Sequence, residues 1–208
     1  MTGAWLTSYV VMWLLLLVLG CLMLGLLRQV GLLNRRFVKT DRAAIAGLEP
    51  GSPAPLFEVT ALSGQAVSLG SLFDQGRTIL LVFASPRCGP CLKMAPVLDV
   101  FSQRARVYGW EVILITVGSS RTGAEAYAQE TGVHFPVVAQ DKAELSMPYK
   151  FGGSPFAFVL QAGVVKARKK IDDEQQFEAL LQEGGFTSAG DALLPVLAGQ
   201  GKDLIAGR

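Results

Sequence analysis

Phe83-Ala84-Ser85-Pro86-Arg87-Cys88-Gly89-Pro90-Cys91-Leu92-Lys93 joins two patterns of different period. Ahead of it, Thr78-Ile79-Leu80-Leu81-Val82-Phe83 is a short apolar run with the look of a strand buried on both faces. Behind it, residues 91–107 repeat their apolar side chains at helical spacing. Two cysteines therefore stand where a strand hands over to a helix. A thiolate placed there meets the unpaired N–H groups and the positive dipole end of the helix, and both stabilise the anion. Arg87 and Lys93 add cationic charge, and the two-residue spacer leaves the second thiol within reach of the first. A mixed disulfide formed at Cys88 can then be resolved by Cys91, which is dithiol–disulfide exchange.

Other uses of a cysteine pair compete with this one. Zinc would need two further ligands, and the chain offers one other cysteine, Cys21, inside a hydrophobic run, and one histidine, His134. A structural disulfide stabilises most when it closes a long loop, and this pair closes a very short one. The expectation is therefore no metal and no added cofactor, with the Cys88–Cys91 couple itself as the redox centre.

The motif and its surroundings resemble the thioredoxin family. Cys88-Gly89-Pro90-Cys91 is similar to the family's active site, and Pro96 matches the proline that kinks its active-site helix. Gly153-Ser154-Pro155-Phe156, ahead of Ala157-Phe158-Val159-Leu160, resembles the loop that carries the family's cis-proline. The resemblance implies an α/β, thioredoxin-like fold with a central mixed sheet flanked by helices. It also implies that Cys88 and Cys91 are catalytic, that Arg87, Gly89 and Pro90 tune them, and that Ser154 and Pro155 bind the extended backbone of a disulfide-containing protein substrate. Two departures stand out. Arg87 replaces the family's tryptophan, and no carboxylate lies between Thr78 and Pro86, where thioredoxin has a buried Asp that assists the resolving thiol.

Outward from this centre the periodicity alternates between strand and helix. A buried strand is expected over 111–117, a helix near 122–131, a short strand over 135–139 and a helical turn within 142–150 stopped around Pro148. A hairpin of 156–161 with 164–169 and a helix over 172–183, N-capped by Asp172 and ended by Gly184-Gly185, complete the set. The alternation points to a mainly parallel sheet with helices on both faces. On the N-terminal side, 54–59 and 64–69 read as two strands around a Ser-Gly turn. They resemble the opening of the redoxin branch, Gly-x-x-Ala-Pro-x-Phe followed by Gly-x-x-Val-Ser-Leu. Peroxiredoxins share that opening, and their Pro-x-x-x-Thr/Ser-x-x-Cys pattern is met by Ser85 and Cys88. The proline position, however, is Leu81, so peroxide reduction ranks below thiol exchange.

Two residues and one cationic run invite functional readings and are given structural ones instead. His134 beside Phe135-Pro136 is read as structural, Trp110 as a packing residue, and the cationic run 166–170 as a solvated strand edge that discourages unwanted pairing.

The chain has 208 residues and a formal net charge of +2, enough for one domain with an accessory segment and no indication of nucleic acid binding. A mean hydropathy of +0.38 is high, and the excess lies at the N-terminus. Residues 4–27 contain no charge and exceed the roughly 20 residues that cross a hydrocarbon layer, so 1–28 read as a single-pass transmembrane anchor in the lipid bilayer. A cleavable signal peptide fits less well, because no basic segment precedes the run and its apolar core is long. Residues 29–52 form a basic linker ending in prolines, 53–186 the thioredoxin-like domain, and 187–208 a Gly- and Ala-rich tail.

Orientation is contested between two arguments. Arg28, Arg35, Arg36, Lys39 and Arg42 all follow the apolar run, which favours a cytoplasmic domain. The resemblance favours the outer face of a bacterial cytoplasmic membrane, where disulfides persist and where a membrane electron donor or acceptor would reset the couple. A narrower likeness is to MauD-type proteins, through the Leu27-Arg28-Gln29-Val30-Gly31-Leu32-Leu33 exit, the approach to Cys88, and Phe177-Glu178-Ala179-Leu180-Leu181-Gln182-Glu183. It implies a role in maturing a disulfide-rich exported protein such as methylamine dehydrogenase. MauD-type sites usually read Cys-Pro-x-Cys, unlike Cys88-Gly89-Pro90-Cys91. The alternative from a different class is a tethered escort that binds a partner while its cysteines stay idle.

Overall fold

The computed structural model describes residues 3, 9–23, 25, 47–142 and 144–186. The chain divides between residues 43 and 44 into two units. In the first, residues 9–23 are helical with exposed side chains. Among the described residues, no helix is long and apolar enough to cross a membrane. The expected anchor over 4–27, most of the linker and the whole tail lie partly or wholly outside the described residues.

The second unit contains the expected sheet. β3 (Thr78–Ala84) forms its centre because all seven residues are buried. The strand order is β5-β4-β3-β6-β7, with β4 (Trp110–Val117), β5 (Val137–Gln140), β6 (Phe156–Gln161) and β7 (Val164–Lys170). β3, β4 and β5 run parallel, while β6 pairs antiparallel with β3 and β7 antiparallel with β6, so the sheet is mixed, as the thioredoxin resemblance implies, and less parallel than the alternation alone suggests. α2 (Gly89–Ala105) links β3 to β4, and α3 (Arg121–Thr131) links β4 to β5. Two crossovers of one hand moving in one direction put both helices on the same face. α4 (Glu174–Glu183) joins them there: Leu80, Val82, Cys91, Leu98, Tyr127 and Phe177 share one core cluster.

The opposite face is built differently from the expectation. It is covered by a separate two-stranded hairpin, β1 (Glu58–Thr60) with β2 (Ala66–Ser68), by the short helix α1 (Leu69–Asp74), and by a 3-10 turn, Met147–Tyr149. Phe83, Tyr149, Phe151, Phe156 and Phe158 stack there in tilted and edge-on contacts. The hairpin strands are shorter than expected because the start of that segment bonds elsewhere. Ala54 N–H donates to Gly163 O, and Pro53 bridges Val164 beside β7.

Several boundaries shift for local reasons. β5 starts after Pro136, which has no N–H to give the ladder, although Pro136 O accepts from Leu114 N–H. The turn within 142–150 narrows to Met147–Tyr149, followed by Lys150 at φ 51°. α4 is capped by Asp173, not Asp172: Asp173 accepts from Gln176 N–H at 2.8 Å, while Asp172 N–H donates to Gln176 Oε1. Gly184 closes that helix at a tight approach, since a Cβ there would lie 2.7 Å from Val159 Cγ2. Trp110 is core, packed edge-on against Phe101 and Phe186. β7 is an edge strand, and Lys169 and Lys170 form ion pairs with Glu183 and Asp172.

Candidate active site

The register of the central strands assembles the site. Phe83 pairs with Phe156, so the residues just after β3 and just before β6 emerge side by side at one end of the sheet. The first group is Ser85-Pro86-Arg87-Cys88, and the second is Gly153-Ser154-Pro155. The Ser154–Pro155 peptide is cis, and Cys88 Sγ lies 3.5 Å from the Ser154 carbonyl oxygen. Sequence distance had separated these groups by 66 positions.

Cys88 and Cys91 form a disulfide with their Cα atoms 5.2 Å apart. α2 begins two residues earlier than its periodicity implied, which makes Cys88 the N-cap rather than a residue ahead of the helix. Its sulfur accepts the Cys91 N–H at 3.3 Å. This donor and the helix N-terminus face the sulfur with partial positive charge. Pro90 fits the first turn because its missing N–H would have been unpaired there. Cys88 is half-buried, whereas Cys91 is 1% exposed and packs with Met94, Val82 and Ala84. Of the two sulfurs, that of Cys88 is the more accessible.

Arg87, Gly89 and Pro90 are exposed around the pair. Ser154 is half-buried and Pro155 is buried, so the surface offered beside Cys88 consists of Ser154 and the neighbouring backbone more than the proline ring. His134 is not brought to the cysteines. It engages Asp99, eight residues beyond Cys91 and about 12 Å along the helix. Asp99 accepts from His134 N–H at 2.7 Å, from Gln103 Nε2 at 2.7 Å, and lies 3.0 Å from His134 Nδ1. The nearest carboxylate along α2 is thus committed to fastening the loop before β5.

One residue beside the dithiol escaped the sequence reading. Tyr127 in α3 donates its hydroxyl to the Cys91 carbonyl at 3.2 Å, and the contact is buried. Burial, reinforced by the charge of Glu130, pushes this phenol well above its ordinary range, so it stays protonated. Nothing in the pattern of residues 121–131 singles it out from an ordinary core tyrosine.

The chain matches the family model described as Redoxin over residues 49–181. It is 31% identical over 185 residues to the methylamine utilization protein MauD of Methylobacillus flagellatus, covering 87% of each chain. It is 27% identical to the thiol-disulfide oxidoreductase ResA of Geobacillus kaustophilus, covering 68% of this chain and 82% of the relative. Among solved structures, a thiol:disulfide interchange protein of the thioredoxin family from Chlorobium tepidum superposes with a TM-score of 0.56. That match has 21% identity and spans 66% of this chain and 97% of the other.

Proposed function

This chain belongs to the Redoxin family as a MauD- and ResA-type thiol-disulfide oxidoreductase with a Cys88–Cys91 pair, and from that premise we propose that it is a membrane-tethered enzyme reducing disulfides in an exported protein. The observation that carries this reading is the division of labour within the pair. Cys88 caps the helix with an N–H on its sulfur and partial access to solvent, while Cys91 sits behind it, buried.

The steps follow from that geometry. Cys88 thiolate attacks one sulfur of the partner disulfide, and the partner's other sulfur leaves as a thiolate that takes up a proton. Cys91, losing its proton, attacks Cys88 Sγ and expels the second partner sulfur. The partner gains two electrons, and the Cys88–Cys91 disulfide that remains is reset by a membrane electron donor. Extended partner backbone lies against Ser154 and Pro155, beside the Cys88 sulfur.

Residues 4–27 anchor the chain in the bacterial cytoplasmic membrane, with the domain on the outer face, where substrate disulfides persist. The basic residues after the apolar run argue for the opposite side. The MauD relatives are named for methylamine utilisation, and a disulfide-bearing protein of that process is the candidate substrate. A Cys91→Ser variant of the full chain, expressed in its membrane, tests all three points because mixed disulfides at Cys88 cannot then resolve. Adducts with exported proteins are expected. Adducts with cytoplasmic proteins would overturn the orientation, and the absence of adducts with Cys88 still alkylatable would overturn exchange in favour of an escort.

A further inference from the structure

The N-cap and first turn of α2 carry both cysteines. Gly89 brings little helix preference of its own, and Pro90 is accommodated there because the first turn needs no N–H. Leu92 O would accept from residue 96 in a regular helix, but Pro96 has no N–H. The turn also carries Leu92 N–H on Cys88 O at 3.2 Å, Cys91 N–H on Cys88 Sγ at 3.3 Å, and a tie from the core. That tie is the Tyr127 hydroxyl on Cys91 O. It comes from α3, across the core cluster that holds Cys91, Met94 and Tyr127 together.

We propose that Tyr127 is a positioning residue for the dithiol: by fixing the Cys91 carbonyl it keeps the Cys91 N–H aimed at Cys88 Sγ. Cys91 contributes both groups, so a constraint on its carbonyl side limits rotation of the whole residue. A held N–H on Cys88 Sγ favours the thiolate, and hence the reduced form of the couple. The hydroxyl acts as a donor throughout, since burial keeps its proton in place. This inference rests on the exchange reading, and it supplies a role for the core beside a cysteine that has no carboxylate on β3.

Tyr127→Phe removes the hydroxyl and keeps the ring. Tyr149→Phe is the matched control, because Tyr149 also donates a buried-side hydroxyl to a backbone carbonyl, Pro55 O at 2.9 Å, away from the cysteines. With the full chain reduced, alkylation of Cys88 is followed across pH, and the thiol–disulfide equilibrium is measured against glutathione. Tyr127→Phe is expected to move the alkylation midpoint to higher pH and to shift the equilibrium toward the disulfide, by no more than about fivefold, the full worth of one ordinary hydrogen bond, because this bond is also made with the disulfide closed. Tyr149→Phe is expected to move neither. An unchanged midpoint and equilibrium in Tyr127→Phe, or equal shifts in both variants, would overturn the proposal. Insulin reduction by the unmutated protein, run alongside, reads the exchange function separately: its absence would count against exchange, not against Tyr127.

Discussion

Replacing Asp99 tests whether the one histidine of the chain is a fastener or a chemical group. Asp99 is 13% exposed at its side chain and receives three donors: His134 N–H, His134 Nδ1 and Gln103 Nε2. A hydrogen bond to a charged group is worth about 1.5–3 kcal/mol, and the backbone donor, at 2.7 Å, belongs in that range. The imidazole pair is worth less, about 0–1 kcal/mol, because the His134 side chain is 75% exposed and water screens it. Asp99→Ala leaves the His134 N–H without its acceptor, and water reaching the loop recovers part of the loss. The expected cost is about 2–3 kcal/mol. Asp99→Asn keeps an oxygen for that N–H and should cost about 1 kcal/mol. His134→Ala should cost under about 1 kcal/mol. Urea unfolding followed by circular dichroism reads the order, with the midpoint falling and the slope unchanged. Cys88 alkylation of each folded variant should match the parent. A His134→Ala variant as unstable as Asp99→Ala would refute the energy assignment. One that stayed stable but lost tenfold in exchange rate would refute the structural role.

Three further outcomes follow from the same geometry. In the reduced protein, Cys88 should react with iodoacetamide at least about tenfold faster than Cys91, since one sulfur is half-buried under an N–H donor and the other is enclosed; mass spectrometry of partially labelled protein reads the ratio. With a helix N-terminus and the Cys91 N–H facing its sulfur, Cys88 should be alkylated to a plateau at a lower pH than a free cysteine, and a pH–rate profile checks the sign. Gly184→Ala should destabilise by about 1–3 kcal/mol through overpacking against Val159, and thermal unfolding would show it as a lowered midpoint.

The parts of the fold legible in the sequence are those where local pattern and burial agree. β3 is apolar at nearly every position and fully buried, and the helix behind it keeps its period, so the strand–helix junction could be placed. The cis peptide came from the resemblance at Ser154-Pro155, not from any rule that predicts one. α1 was invisible because Leu-Gly-Ser-Leu-Phe-Asp is too short for a period. It is held by the Ser68 cap and the burial of Leu69, which are tertiary facts. The cap of α4 was misplaced by one residue because Asp172 and Asp173 can both cap, and only the aim of Gln176 decides between them. Cys88 as N-cap and Tyr127 as the donor to the Cys91 carbonyl escape the sequence for a related reason. One depends on where the chain turns, and the other on which face of α3 meets α2.

The most direct test is insulin reduction driven by a dithiol donor, comparing the unmutated chain with Cys88→Ser. The unmutated protein should accelerate reduction, and Cys88→Ser should fall to the uncatalysed rate. Full activity in Cys88→Ser, or no acceleration by the unmutated protein, would contradict the assignment of Cys88 as the attacking thiol.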